Sequence, residues 1–178
     1  HDALPISMKT KSLWPDGRQS RENTYSFHKA TPFPAVNIKM LPGLHVDYYT
    51  GNWDSLPEFT DLAHDKEGLT EMENLDFADT TQLFGLVFEG YLFVPETDVY
   101  LFHLSSDDGA RMQLNGETLI DYDGIHGAGF RKASAALEKG LHPFRLVYFQ
   151  LYGGLGLNLF WESHTMKYQE IGAGNWKH

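Results

Sequence analysis

Ala110-Arg111-Met112-Gln113-Leu114-Asn115-Gly116-Glu117-Thr118-Leu119-Ile120-Asp121 is the stretch whose reading decides the fold class. Ala110, Met112 and Leu114 alternate with Arg111 and Gln113, the period of a strand with one buried face. Asn115-Gly116 then supplies the strongest short hairpin signal, because both residues tolerate the positive φ of a type I′ turn. Working outward, residues 99–104 and 45–49 show strand character, and residues 84–94 are nearly continuous apolar with Gly85 and Gly90 inside. Residues 133–137, 141–150 and 155–162 complete the strand set. Helical periodicity is absent at length; residues 57–63 allow one or two turns. Residues 54–79 hold nine acids and one Lys and read mainly as a solvated loop. The expectation is an all-β protein, an antiparallel β-sandwich or barrel.

The 178 residues suffice for one full domain and a remnant. Aromatics at 14%, with 17 Gly and 8 Pro, fit many short strands joined by tight turns. The formal charge of -10 argues against nucleic acid or an anionic membrane as partner, since both need a basic face. It leaves cations and neutral ligands such as sugars. No apolar run approaches the ~20 residues of a transmembrane helix. With no cysteine there is no disulfide framework, thiolate metal site or cysteine nucleophile.

Charge divides the chain. Residues 1–40 carry +3 and residues 41–178 carry -13, with Pro32, Pro34 and Pro42 near the change. We therefore expect an N-terminal hairpin with a Pro-rich linker over 1–40, a sandwich over 41–165 and a C-terminal tail over 166–178. The hairpin strands are expected at 11–14 and 23–29, joined through Pro15-Asp16-Gly17. An isolated hairpin is marginal in water, so it must pack on something. Because the chain begins at His1 with neither Met nor a signal-peptide pattern, it reads as a fragment of a larger protein.

Motif searches for catalysis return little. There is no H-E-x-x-H, G-x-S-x-G or P-loop, and Gly153-Gly154-Leu155-Gly156 is too short for a phosphate cradle. Asp121-Tyr122-Asp123-Gly124 opens like a calcium loop but breaks the EF-hand spacing. No carboxylate pair is nominated for glycoside hydrolysis. The sharpest local feature is Ser105-Ser106-Asp107-Asp108-Gly109. Two adjacent carboxylates repel unless a cation or hydrogen-bond donors compensate. In a regular strand they point to opposite faces, so gripping one ion requires unusual backbone, such as a cis peptide. Hard oxygen ligands would favour Ca²⁺. The alternative is an exposed turn in which the Asp side chains bond nearby backbone N–H groups.

Many separate motifs carry a family likeness. Gly43-Leu44-His45-Val46-Asp47-Tyr48-Tyr49, Gly90-Tyr91-Leu92-Phe93-Val94-Pro95, Ser106-Asp107-Asp108-Gly109-Ala110-Arg111, Leu114-Asn115-Gly116, His126-Gly127 and the run Leu141-His142-Pro143-Phe144-Arg145-Leu146 follow in family order. Over about 43–162 the chain resembles the PA14 domain family, named after the anthrax protective antigen. The resemblance implies a β-sandwich serving as a non-catalytic carbohydrate-binding module. It further implies that Asp107 and Asp108, joined by a cis peptide, hold a Ca²⁺ that bridges sugar hydroxyls. The matching second loop, Gln150-Leu151-Tyr152-Gly153-Gly154-Leu155-Gly156, lacks the acidic or Asn ligands of the fungal adhesins, leaving Gln150 and backbone carbonyls as donors.

Pyranose rings stack an apolar face on aromatic side chains while their hydroxyls take polar contacts. Tyr152 is the expected stacking platform, Asp121, Asp123 and His126 the rim, and Trp53 a further aromatic; each also has a structural reading, folded back onto the core. Trp161 and Phe149 are expected in the core. Leu13-Trp14-Pro15-Asp16-Gly17-Arg18-Gln19-Ser20 and Tyr25-Ser26-Phe27-His28-Lys29-Ala30 look like the final strands of a fibronectin-like domain, as found near the C-terminus of chitobiase/β-hexosaminidase-like enzymes and some fucosidases. The expectation is thus a monomeric module attached to an upstream catalytic domain of the same polypeptide, an exported glycoside hydrolase acting outside the cytoplasm. Its partners would be a glycan and that catalytic domain, with no nucleic acid and no membrane. The alternative is a domain that orients or shields the catalytic domain without binding sugar.

Overall fold

The computed structural model describes residues 6–27 and 29–178. The chain forms two compact units, His1–Thr31 and Pro32–His178. In the first, β1 (Ile6–Thr10) pairs antiparallel with β2 (Asn23–Phe27). The hairpin expected here therefore begins earlier than residue 11: residues 11–14 contribute only the bridge Leu13↔Gln19 near the turn, where Gly17 N–H donates to the Trp14 carbonyl at 2.9 Å. Every residue of both strands is exposed within this structure. His28, part of the predicted second strand, lies outside the described residues.

The second unit is a sandwich of two antiparallel sheets. Its strands are β3 (Leu44–Thr50), β4 (Lys66–Thr70), β5 (Phe84–Val94), β6 (Asp98–Asp107), β7 (Ala110–Leu114), β8 (Glu117–Tyr122), β9 (Gly129–Leu137), β10 (Gly140–Gln150), β11 (Gly156–Glu162), β12 (Gln169–Glu170) and β13 (Trp176–Lys177). One sheet runs β4-β3-β5-β10-β7-β8, with β13 on the far end of β5; the other runs β12-β11-β6-β9. Alternation places Tyr100, Phe102 and Leu104 of β6 and Leu157, Leu159 and Trp161 of β11 between the sheets, against Phe84, Leu86, Phe88, Leu146 and Tyr148. Each fully buried side chain of this kind stabilises by roughly 1.5–3 kcal/mol.

The continuous apolar run of 84–94 has a specific cause. Val87 and Val147 face away from the main core, yet a second cluster with Tyr49 and Phe59 buries them. The central strands are thus covered on both faces. At the β7–β8 turn Asn115 and Gly116 have φ of 54° and 81°, the I′ geometry read from Asn-Gly.

Three features differ from the sequence-based expectation. The acidic stretch 54–79 contains a strand, β4, whose alternating residues pair with β3 from Leu44↔Thr70 to Tyr48↔Lys66. The helical turns expected at 57–63 reduce to a single 3-10 turn, Phe59–Asp61, held by the buried Phe59 ring. The segments expected as linker and tail belong to the sandwich. Phe33 and Val36 bridge to Leu137 and Leu141, β13 extends the larger sheet, and Ile171 and Trp176 are completely buried. No helix among the described residues is long and apolar enough to cross a membrane.

Candidate functional site

At one tip of the sandwich, β6 ends, β7 begins, and the loops 123–128 and 151–155 meet. The Asp107-Asp108 peptide there is cis, as the family likeness implied. The two carboxylates have different surroundings. Asp108 is buried, and both its oxygens are engaged: Oδ1 accepts from the His126 backbone N–H at 3.0 Å and Oδ2 from the Leu151 backbone N–H at 2.9 Å. One side chain therefore ties the two loops together through charge-assisted bonds. Asp107 is 7% exposed, and no ion pair among the described residues involves either acid. Its carboxylate presses against loop 151–155, where a Cβ added at Gly154 would collide with Oδ2. Glycine at 154 is what admits the carboxylate.

Beneath the pair lies a buried polar brace that sequence reasoning did not foresee. The Tyr148 hydroxyl stands 2.5 Å from the Asp107 carbonyl and 2.6 Å from Gln150 Oε1, able to donate its single proton to either. Burial drives the Tyr148 phenol far above its usual range, and the charges of Asp108 and Asp107 push the same way, so it remains protonated. Gln150 Nε2 donates to the Gly154 carbonyl at 2.7 Å. This corrects the expectation that Gln150 is a metal ligand: its oxygen faces the phenol and its nitrogen the loop. Period-two alternation from the buried Leu146 was the available signal for Tyr148, two residues before Gln150.

The remaining sequence-nominated residues divide. Tyr152, 57% exposed on loop 151–155, stands free as an aromatic surface at the tip. Asp121 and Asp123 are drawn together by Arg111, whose Nε lies 3.1 Å from Asp121 Oδ2 and whose Nη2 lies 3.5 Å from Asp123 Oδ2. Asp123 Oδ1 also accepts from the backbone N–H of Leu56 at 2.7 Å, fastening the 50s loop. His126 stacks on Tyr122 with centroids 3.7 Å apart, and its ring nitrogens face the Gly127 and Tyr122 carbonyls. Trp53 is not a free platform. It is half-buried over the outer face of the larger sheet, edge-on to Phe59 at 5.6 Å. Trp161 and Phe149 lie in the interior as expected.

Among the described residues, the only trio of His, Asp and Glu with ligand atoms within 4.8 Å of one another is Asp47, His64 and Glu67, on strands β3 and β4 and the loop between them. A cation at the tip would therefore rely on the acid pair and on backbone carbonyls. Hard oxygen donors with no basic side chain to neutralise them fit Ca²⁺ in kind.

Two packed antiparallel sheets with an adjacent acid pair where two loops meet at one tip define a β-sandwich module. The family model described as "PA14 domain" matches residues 42–175, and the chain belongs to the PA14 domain family. No curated protein matches it. Among solved structures it is similar to a PA14 sugar-binding domain from an RTX adhesin, at 20% identity and a TM-score of 0.64, covering 78% of this chain and 99% of that one. It is also similar to the Epithelial Adhesin 9 A domain from Candida glabrata in complex with Galβ1-3GlcNAc, at 12% identity and a TM-score of 0.65, covering 84% and 95%. A third is an anti-sigma factor domain-containing protein from Clostridium clariflavum, at 19% identity and a TM-score of 0.63. That match covers 78% of this chain, which spans only 47% of that protein's chain. These likenesses show the fold.

Proposed function

We propose that the chain is a non-catalytic glycan-recognition module whose sugar site is the tip around Asp107. The observation that carries this reading is the acid pair itself. Each oxygen of Asp108 accepts one backbone N–H and so fixes two loops, while the Asp107 carboxylate has no basic partner and lies against the loop that presents Tyr152. Asp107, with the remaining lone pairs of Asp108 and loop carbonyls, would hold Ca²⁺. When bound, that ion supplies a hard positive centre for vicinal hydroxyls. Tyr152 supplies the apolar surface for the ring, and the Tyr148–Gln150 brace keeps the pair in place. Names of two structural relatives, a sugar-binding domain and an adhesin bound to Galβ1-3GlcNAc, support a glycan as ligand.

The module would be carried by a larger exported glycoside hydrolase and would act by concentrating its catalytic domain on a glycan. The fibronectin-like likeness of the N-terminal hairpin is the support for that setting. Calorimetry against galactose, lactose and Galβ1-3GlcNAc, with Ca²⁺ and with EDTA, tests the site. Binding that needs Ca²⁺ and disappears in Asp107→Asn is expected; identical titrations in the two buffers would remove the ion from the reading. A second reading, a domain that orients its neighbour without binding sugar, is favoured by the inward-turned Gln150. Silence across a broad glycan array with Ca²⁺ present would select it.

A further inference from the structure

The outer face of the four-stranded sheet carries a groove of about 540 Å³, within the ~300–1,000 Å³ range of small-molecule sites. Tyr100, Phe102 and Leu104 of β6 point into the core, so His103 and Ser105 point out. Register places Phe160 and Lys132 on either side of His103, and Asn158 and Phe130 on either side of Ser105. Tyr168, just ahead of β12, stacks on Phe160 with centroids 5.1 Å apart and meets His103 edge-on at 4.8 Å. Tyr168 and Phe130 remain 53% and 59% exposed. Between them His103, only 7% exposed, binds Glu162 Oε1 through Nε2 at 2.9 Å.

This face has the wrong chemistry for most occupants. It interleaves the Phe130, Phe160 and Tyr168 rings with the polar groups of His103, Ser105 and Asn158. Lys132 and Glu162 oppose each other in sign, so neither an anion nor a cation is favoured. What matches is a neutral ring with one apolar face and several hydroxyls: the rings take the face, and the imidazole, carboxylate and amide take the hydroxyls. The groove and the tip also share strand β6. Ser105 precedes Asp107 by two residues on the outward side of β6, ~7 Å along the strand.

We infer that this groove is a second glycan-binding surface, receiving the continuing residues of a neutral oligosaccharide whose end sits at the Asp107 tip. The inference rests on the carbohydrate reading above and extends it from a terminal sugar to a chain. The module then prefers oligosaccharides of several units to mono- or disaccharides, and Tyr168 and Phe130 set that preference.

The test is NMR titration of the isotopically labelled full chain with cellohexaose, xylohexaose, chitohexaose and β-1,4-galactohexaose, and with the corresponding disaccharides. At least one hexasaccharide is expected to move groove resonances and bind about tenfold more tightly than its disaccharide, a difference of ~1.4 kcal/mol. Tyr168→Ala and Phe130→Ala, both at exposed positions, should abolish that advantage while leaving disaccharide affinity unchanged. Equal affinities for long and short sugars, with shifts confined to residues 107–108 and 151–155, overturn the groove and leave the tip standing. Groove shifts in the unsubstituted chain with Ca²⁺ present, without any response at residues 107–108 or 151–155, uphold the groove and overturn the tip. Absence of shifts anywhere overturns both.

Discussion

Glu73 lies in the interior at 2% exposure, and both its carboxylate oxygens lack a hydrogen-bond partner, as does Nε1 of Trp176. Burial pushes its carboxyl from 4.5 up to about 8, and the nearby Glu170 charge adds to the rise. The native state therefore holds Glu73 neutral at pH 7, while the unfolded chain ionises it from about pH 4.5. The sign follows directly. Stability from this group is fully present below pH 4.5, declines as pH rises by ~1.4 kcal/mol per unit, and is lost above about pH 8. At pH 7 the 2.5-unit interval above the unfolded value amounts to ~3 kcal/mol, a large share of the ~5–15 kcal/mol that holds a domain folded. Glu73→Gln keeps the shape and removes the titration. Urea unfolding of both proteins between pH 5 and 8 should give a difference in ΔG that shifts in the variant's favour with every pH step. A constant difference across that range would refute the burial argument.

Tyr148→Phe strips the brace of its hydroxyl and leaves the buried Asp107 carbonyl and Gln150 Oε1 short of a donor. A loss of ~1–3 kcal/mol in urea unfolding is expected, together with weaker Ca²⁺ protection in thermal melts. Gly154→Ala forces a methyl into the space of the Asp107 carboxylate. Affinity for Ca²⁺ by calorimetry should fall at least about tenfold, with little change in Tm without the ion. Trp53→Ala uncovers Phe59 on the outer sheet face and should cost ~2 kcal/mol of stability while sugar affinity stays the same. A loss of sugar affinity at unchanged stability would return Trp53 to the binding site.

The strand framework was legible because its signals are local. Alternation in 99–104 and 110–114 and the φ requirement of Asn115-Gly116 need no knowledge of distant residues. β4 was not legible: Lys66, Gly68 and Thr70 alternate only weakly within an acidic stretch, and pairing with β3 is what makes them a strand. Likewise β12 and β13 are two residues each, too short for any periodicity, and exist through the partners they reach. At the site, adjacent acids before a glycine nominated Asp107 and Asp108. Their division of labour was not readable, because it depends on backbone donors of His126 and Leu151, which follow Asp108 by 18 and 43 residues.

By itself the sequence determined an antiparallel all-β domain, its main hairpin turn, the PA14 likeness and the acid pair, since each is written in contiguous residues. Only the tertiary structure decided that Gln150 turns inward, that Trp53 covers a sheet and that Asp121 and Asp123 share Arg111. It alone assembled the outer groove, whose residues come from β6, β9, β11 and the segment before β12. Side-chain direction and partnership at those positions are set by packing between segments far apart in the chain, and that packing energy exists only once the two sheets have met.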